Sequence, residues 1–409
     1  MLFTLAWRNI WRNKRRTLIT IASVAFAVFF ATFMQSIQKG AWDHMLDNVV
    51  NFYYGYAQVQ EADYWEEQSL DRALNFSPEL VAELEAVPGV NGLAPRLESF
   101  ALAAGEGQTH GVLVVGVDPA AEDQLTQLRE RLVEGQYWQA GSAGALLSVG
   151  VAEQLELGLG DTIVLLSQGY HGVNAAGKYP VEGLLRFGSP ELNKRMVYLA
   201  RPEAEQFFGA EGLATSVALD IDSKEEVPAI LTALESTIDT TELAAKGWQE
   251  MIPDLVEAKE LDAAGNNLVL IVLYLIITFG IFGTILMMTR ERSYEFGVLV
   301  GIGMHRWQLS LVVWMEIVLL GLLGAIVGML ISFPLVYYFA MNPIDLSIMG
   351  EEAVQTYEKF GMEPILPAVI EPSIFVLQAV LVFFITTVLA LYPWFKIRGL
   401  QPISAMREA

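Results

Sequence analysis

Apolar positions gather into four long runs, at residues 17–38, 266–289, 309–341 and 372–395. About 20 consecutive apolar residues carry a helix across the hydrocarbon layer, so the pattern predicts four membrane spans. The third run is longer than one crossing needs; its excess is taken up by tilt, or by a bend at Pro334, whose missing N–H interrupts a helical ladder. Ahead of the first run, within residues 1–16, Phe3, Trp7, Ile10 and Trp11 recur at helical spacing with Arg8 and Arg12 between them. That is the pattern of a helix lying on a membrane surface.

The stretch 39–265 has a different rhythm. "YGYAQVQEA" and "GVLVVGVDP" read as strands, and "SPELVAELEAV" as a helix opened by a Ser77 cap with Pro78 in its first turn. "GALLSVGVAEQLELGLGDTIVLLSQ" reads as strand, short helix, Gly-Asp turn and strand, while "KRMVYLARPEAEQFFG" and "SVALDIDSKEEVPAILTALESTI" each pair a strand with a helix. The expectation is a mixed α+β insert of two subdomains with a boundary near 129–141. The fold class is then an α-helical four-span membrane protein carrying a large mixed α+β extracytoplasmic domain between spans one and two.

Charge orients the spans. Arg8, Arg12, Lys14, Arg15 and Arg16 precede the first; Arg290, Arg292 and Arg306 lie between the second and third; Lys396, Arg398 and Arg407 follow the fourth. Lys and Arg stay in the cytoplasm, which puts these three regions and both termini inside. The connection from Lys39 to Asp262 carries 13 basic against 37 acidic residues, and residues 342–371 carry Lys359 against six acids, so both are expected outside.

Composition narrows the chemistry. Of 409 residues 53% are hydrophobic and mean hydropathy is +0.40, as in a membrane protein. A net charge of −22 argues against nucleic acid as a partner. There is no Cys, and the four His are scattered, so no metal site is expected. No nucleophile elbow, His-Glu-x-x-His helix or phosphate-binding Gly-rich loop occurs, so the chain is expected to be non-catalytic and to hydrolyse no ATP itself. Acidic pairs such as Glu66/Glu67 and Glu225/Glu226 read as solvated surface.

Four patches carry a resemblance. "LAWRNIWRNKRRTLIT" opens the chain. "RERSYEFGVLVGIGMHRWQL" follows span two and places Arg290, Glu291, Arg292, Glu295, Phe296, Gly297, Leu299 and Gly303. "MEIVLLGLLGAIVG" places Glu316 with Gly321, Gly324 and Gly328. "LYPWFKIRGLQPISAMRE" closes with Tyr392, Pro393, Lys396, Pro402 and Arg407. In this order they resemble the FtsX-like, or MacB-type (type VII), ABC transporter permeases, and by length and span plan the lipoprotein-release (LolC/LolE-like) subunits, which lack a fused ATPase. Trp394 stands where that family usually has a small residue, and the segment between spans three and four is long for it.

The resemblance implies a permease in the bacterial inner membrane with its large domain in the periplasm. It pairs with a second permease and with an ABC ATPase dimer, which holds ATP and Mg; this chain binds no cofactor. The loop 290–308 becomes the ATPase-coupling loop, where Glu291 and Glu295, on one face at i and i+4, favour a basic partner. A lipoprotein or other lipophilic molecule is the implied substrate, and Phe29, Phe30, Phe33, Met34, Leu268, Ile271 and Leu275 are candidates to face lipid or acyl chains. Glu316 inside a span costs several kcal/mol unless protonated, paired or near water; an arginine of the coupling loop and a role in transport are both open partners for it. The glycines after it suit close helix packing, within the chain or between two permeases. MacB-like efflux of small molecules or peptides and a signalling module without transport stand as the alternatives.

Overall fold

The structure is a computed structural model describing residues 2–105, 107–139, 142–350, 354 and 364–399. It divides into two compact units: Met1–Trp42 with Ala258–Asp345 and Ile365–Ala409, and Asp43–Glu257 with Leu346–Pro364.

The first unit is helical. α1 (Leu2–Arg12) is followed by α2 (Lys14–Val49), α3 (Pro253–Glu291), α4 (Ser293–Gly301), α5 (Arg306–Met341), α6 (Pro372–Leu389) and α7 (Leu391–Arg398). Four helical stretches, Lys14–Tyr54, Pro253–Glu291, Arg306–Met341 and Pro372–Arg398, are long and apolar enough to cross a membrane. α3 has 39 residues, about 58 Å of helix against about 30 Å of hydrocarbon, so it and α2 run well past the apolar runs that define them. α5 continues through Pro334. The last apolar run is broken: α6 ends at Leu389 and α7 restarts after Ala390.

Glycine decides how closely these helices approach. A Cβ on Gly321 would lie 2.5 Å from Thr386 Cγ2 of α6, and on Gly324 2.6 Å from Val24 Cβ of α2. On Gly328 it would meet the Ala25 carbonyl oxygen at 2.6 Å. The small-residue face of α5 therefore packs within the chain, against α2 and α6.

The second unit is built on one ten-stranded sheet. Its strands are β1 (Ala57–Glu61), β3 (Gly92–Ala104), β4 (Thr109–Val117), β5 (Leu132–Gly135), β6 (Ala145–Ser148), β7 (Thr162–Gln168), β8 (Asn174–Leu185), β9 (Met196–Ala200), β11 (Ser216–Asp220) and β12 (Leu243–Gly247); β2 (Leu74–Asn75) and β10 (Leu213–Ala214) form a separate pair. The order is β12-β1-β11-β3-β4-β9-β6-β8-β5, with β7 pairing β3 and β8. Most pairs are antiparallel; β4 with β9 and β6 with β8 are parallel.

Two cores share this sheet. One joins Val59, Leu84, Val217, Leu219, Ile230 and Leu234, drawn from both ends of the segment, under the helices Pro78–Glu85 and Val227–Thr237. The other is formed by the middle, and its central strands are buried on both faces. Val112, Val114, Val197 and Leu199 point to one side, while Val115, Val117, Met196 and Tyr198 point to the other. β3 links the cores: residues 92–96 pair β11 and residues 96–104 pair β4. The division is thus discontinuous along the chain. The stretch 129–141, expected to separate two subdomains, contributes β5 and the buried Tyr137 and Trp138, whose side chains donate to the Pro119 and Gly144 carbonyls at 2.8 and 2.9 Å.

Candidate functional site

The charged residues after α3 do not stand alone. α4 begins at Ser293, and Glu295 receives the Arg12 guanidinium from α1 at 2.7 and 2.8 Å. Arg16 at the start of α2 reaches Glu291 at 2.8 Å. Arg292 lies between two carboxylates, with its Nε 3.2 Å from Glu295 and its Nη1 2.5 Å from Glu316 of α5. Asn9 of α1 donates to the other Glu316 oxygen. One chain of contacts, Asn9–Glu316–Arg292–Glu295–Arg12, therefore ties α1, α4 and α5 together.

Helical spacing produces this convergence. Asn9 and Arg12, three residues apart on α1, face one way, while Arg16 stands past the break at Asn13 in the first turn of α2. Glu316 is ten residues into α5, about 15 Å from its start, close enough for the Arg292 side chain to meet it. Arg292 and Glu316 keep only 7% and 2% of their side-chain surface, and the guanidinium stands 5.3 Å from the Phe296 ring centre. Glu295 is more open. Burial works to raise its pKa, but hydrogen bonds and charge from Arg12 and Arg292 outweigh that and hold it below the ordinary carboxylate value.

The other expected site residues fall into three groups. Phe296 and Gly297 are buried and Leu299 packs against the same bundle core; Arg290 is exposed. Gly303 sits at φ +105° with open space around it, in the turn that exposes Ile302, so the tip of the loop is a backbone bend only glycine accepts readily. Along the membrane stretches, Phe29 stacks on Phe33, and Phe33 meets Phe339 of α5 at 5.8 Å, with Met34 half-buried and Phe30 exposed. Leu268, Ile271 and Leu275 of α3 are exposed at 65, 65 and 51%. Tyr392 packs on Phe282, Pro393 is buried and Lys396 is exposed, whereas Pro402 and Arg407 lie outside the described residues.

Of these partners the sequence did not single out Asn9, and it marked Arg12 and Arg16 only as basic residues that orient the first span. At the opposite end of the helical unit, α2 and α3 are joined by Asp262, which accepts from Gln38 at 2.8 Å and from Trp42 at 2.6 Å. Lys39 pairs with Glu371 at 2.8 Å. Among the described residues no three His, Asp or Glu side chains gather as a metal site requires.

Four long apolar helices with an internally ion-paired end, together with a separate mixed α/β unit, define a multispan membrane protein that carries a folded domain. The chain belongs to the family of ABC transporter permeases built from a MacB-like periplasmic core domain, matched over residues 17–246, and an FtsX-like permease C-terminal region, matched over residues 267–402. Proteins of this family are permease subunits rather than catalytic ones.

A relative is the lipoprotein-releasing system transmembrane protein LolC of Neisseria meningitidis serogroup B, 20% identical over 298 residues, which are 70% of this chain and 69% of LolC. Among solved structures, the periplasmic region of MacB from Actinobacillus actinomycetemcomitans is 11% identical, with a TM-score of 0.36 over 52% of this chain and 98% of that one. The extracellular domain of the noncanonic ABC-type transporter YknZ from Gram-positive bacteria is 13% identical, with a TM-score of 0.34 over 47% of this chain and all of that one.

Proposed function

We propose that this chain is the membrane subunit through which a separate ABC ATPase drives movement of a periplasmic domain, and that its substrate is a lipoprotein leaving the inner membrane. The observation that carries the coupling role is the double attachment of α4. Arg12 and Arg292 both hold Glu295, and Arg292 also holds Glu316 inside α5. A push on α4 is therefore delivered to α1 and α5 together, instead of being absorbed by a loose loop. The exposed Tyr294, Ile302 and Trp307 give an ATPase apolar surface to grip.

Orientation follows from charge. The Arg-rich ends face the cytoplasm, and the acidic segment between the first two spans stands in the periplasm, where α2 and α3, which extend past the hydrocarbon, carry motion to it. The exposed Leu268, Ile271 and Leu275 face of α3 supplies apolar surface for acyl chains, with a second permease closing the other side. The substrate assignment is supported by the likeness to LolC. Depleting the protein and separating inner from outer membranes tests it: lipoproteins should accumulate in the inner membrane. Normal lipoprotein sorting with new sensitivity to small amphiphiles would transfer the assignment to efflux.

A further inference from the structure

The mixed α/β unit contains a pocket of about 230 Å³ that transport coupling does not use. Five of the residues that line it are aromatic. Tyr53 and Tyr54 come from a five-residue π-helix, Val50–Tyr54; Tyr64 and Trp65 come from the short helix Tyr64–Glu67 that follows β1; Phe100 comes from β3. Tyr54 meets Trp65 edge-on at 6.4 Å and Tyr53 at 5.0 Å, and the Gln58 side chain donates to the Tyr54 carbonyl at 2.7 Å, fixing that corner. π-Turns are rare and concentrate at functional sites. Gln68, also in the lining, closes the short helix Tyr64–Glu67 as a left-handed cap, φ 47°, with its N–H bonded to the Tyr64 carbonyl.

Two charged groups of opposite sign line the same pocket, Glu98 and Arg195. Each has a buried atom with no hydrogen-bond partner, Oε1 of Glu98 and Nε of Arg195. Buried polar groups are almost always satisfied, so two orphans of complementary polarity in one pocket call for an explanation. Glu98 is only partly compensated, by the Tyr53 hydroxyl and the nearby charge of Arg96. Arg96, one strand position pair away, is committed to Glu122 through two hydrogen bonds of 2.8 and 2.9 Å, and Arg195 keeps an ion pair with Glu191 at 2.9 Å.

We propose that this pocket binds a small zwitterion, with its ammonium group against the Glu98 carboxylate and the aromatic rings and its anionic oxygen at the Arg195 guanidinium. Aromatic faces attract ammonium groups through their quadrupoles, and quaternary ammonium is the form that gains most because it hydrates weakly. A volume of about 230 Å³ accommodates a betaine or a phosphocholine unit. The source is either a free solute bearing a carboxylate or a headgroup bearing a phosphate. The site stands independently of the lipoprotein assignment.

The test is calorimetric titration of the full chain in maltoside micelles with glycine betaine and with phosphocholine, which separates the two sources. Saturable binding of either is expected. The all-carbon isostere tert-butylacetate, which keeps the carboxylate and loses the ammonium, should bind at least about tenfold more weakly. Glu98→Gln should weaken zwitterion binding at least about tenfold, and Trp65→Leu, which leaves the charges in place, should weaken it too. Arg195→Met should weaken the zwitterions while sparing tetramethylammonium. Unchanged circular dichroism checks that each variant folds. Equal binding of tert-butylacetate, indifference to Glu98→Gln and Trp65→Leu, or no binding of either zwitterion overturns the proposal.

Discussion

Two buried arginine–glutamate pairs, Arg96–Glu122 and Arg292–Glu316, use the same chemistry in opposite ways. Arg96 projects from β3 and is wholly buried; its two parallel bonds to Glu122 are backed by the Tyr53 carbonyl and by Thr126 at 3.2 Å. Every member is enclosed by the fold. Arg292 instead makes one bond to Glu316 and another to Glu295, and Glu295 is held in turn by Arg12, whose side chain is 54% exposed. The first pair closes on itself and fixes a domain. The second opens step by step from the bundle interior to the surface, so a change at the surface has a path to a buried carboxylate.

The largest expected effect breaks the closed pair. Arg96→Met strands Glu122 in the core and should cost about 3–5 kcal/mol, read as a lower thermal midpoint of the mixed α/β unit, while adding Glu122→Leu should restore most of it. Arg292→Met should come next. It leaves Glu316 with Asn9 but without a counter-charge, at about 3 kcal/mol, and should lower both thermal stability in detergent and ATP-driven activity, with Glu316→Gln recovering stability.

Gly324→Leu should cost about 1–3 kcal/mol in detergent melts, because its side chain enters space held by Val24. Arg16→Ala removes a partly exposed pair and should change stability by less than about 1 kcal/mol. If Arg292→Met proved as harmless as Arg16→Ala, the buried end of the graded network would carry no weight and the contrast would fail.

Glu98 gives a change of opposite sign. Burial raises its carboxyl above the ordinary value, with Arg96 and the Tyr53 hydroxyl pulling it partly back. A raised carboxyl contributes stability that is complete below its unfolded pKa of about 4.3 and is lost as pH rises through the folded value. Glu98→Gln should therefore raise the thermal midpoint at neutral pH, and the gain should vanish in acid. The Glu295 carboxyl, held low, behaves in reverse: its contribution is in place above about pH 4.3 and disappears as pH falls through its folded value.

Periodicity made much of this architecture legible. The strands at 109–117, 145–148 and 196–200 and the Ser77-capped helix all announce themselves through apolar runs and turn residues. β3 did not, because Pro95 stands inside it, and a proline within an apolar run argues against a central strand. The interleaving of the two cores was equally hidden, since a division made by the two ends of a segment leaves no boundary in local composition. Within the site, Glu295 and Glu316 are conspicuous as charges beside or inside apolar runs. Arg12 is not, because one arginine in a basic end looks like its neighbours until helix packing selects it. Glu98 and Glu122 were invisible for the same reason among so many acids.

The most direct test of the coupling role concerns the tip of the loop after α4. Ile302 is 77% exposed, and the chain has no cysteine, so Ile302→Cys introduces a unique thiol for a photoactivatable crosslinker. The expected result is an adduct with a nucleotide-binding chain, whose yield changes when ATP is added. Labelling of that cysteine from outside intact cells by a membrane-impermeant reagent, with no nucleotide-binding chain captured, would contradict it.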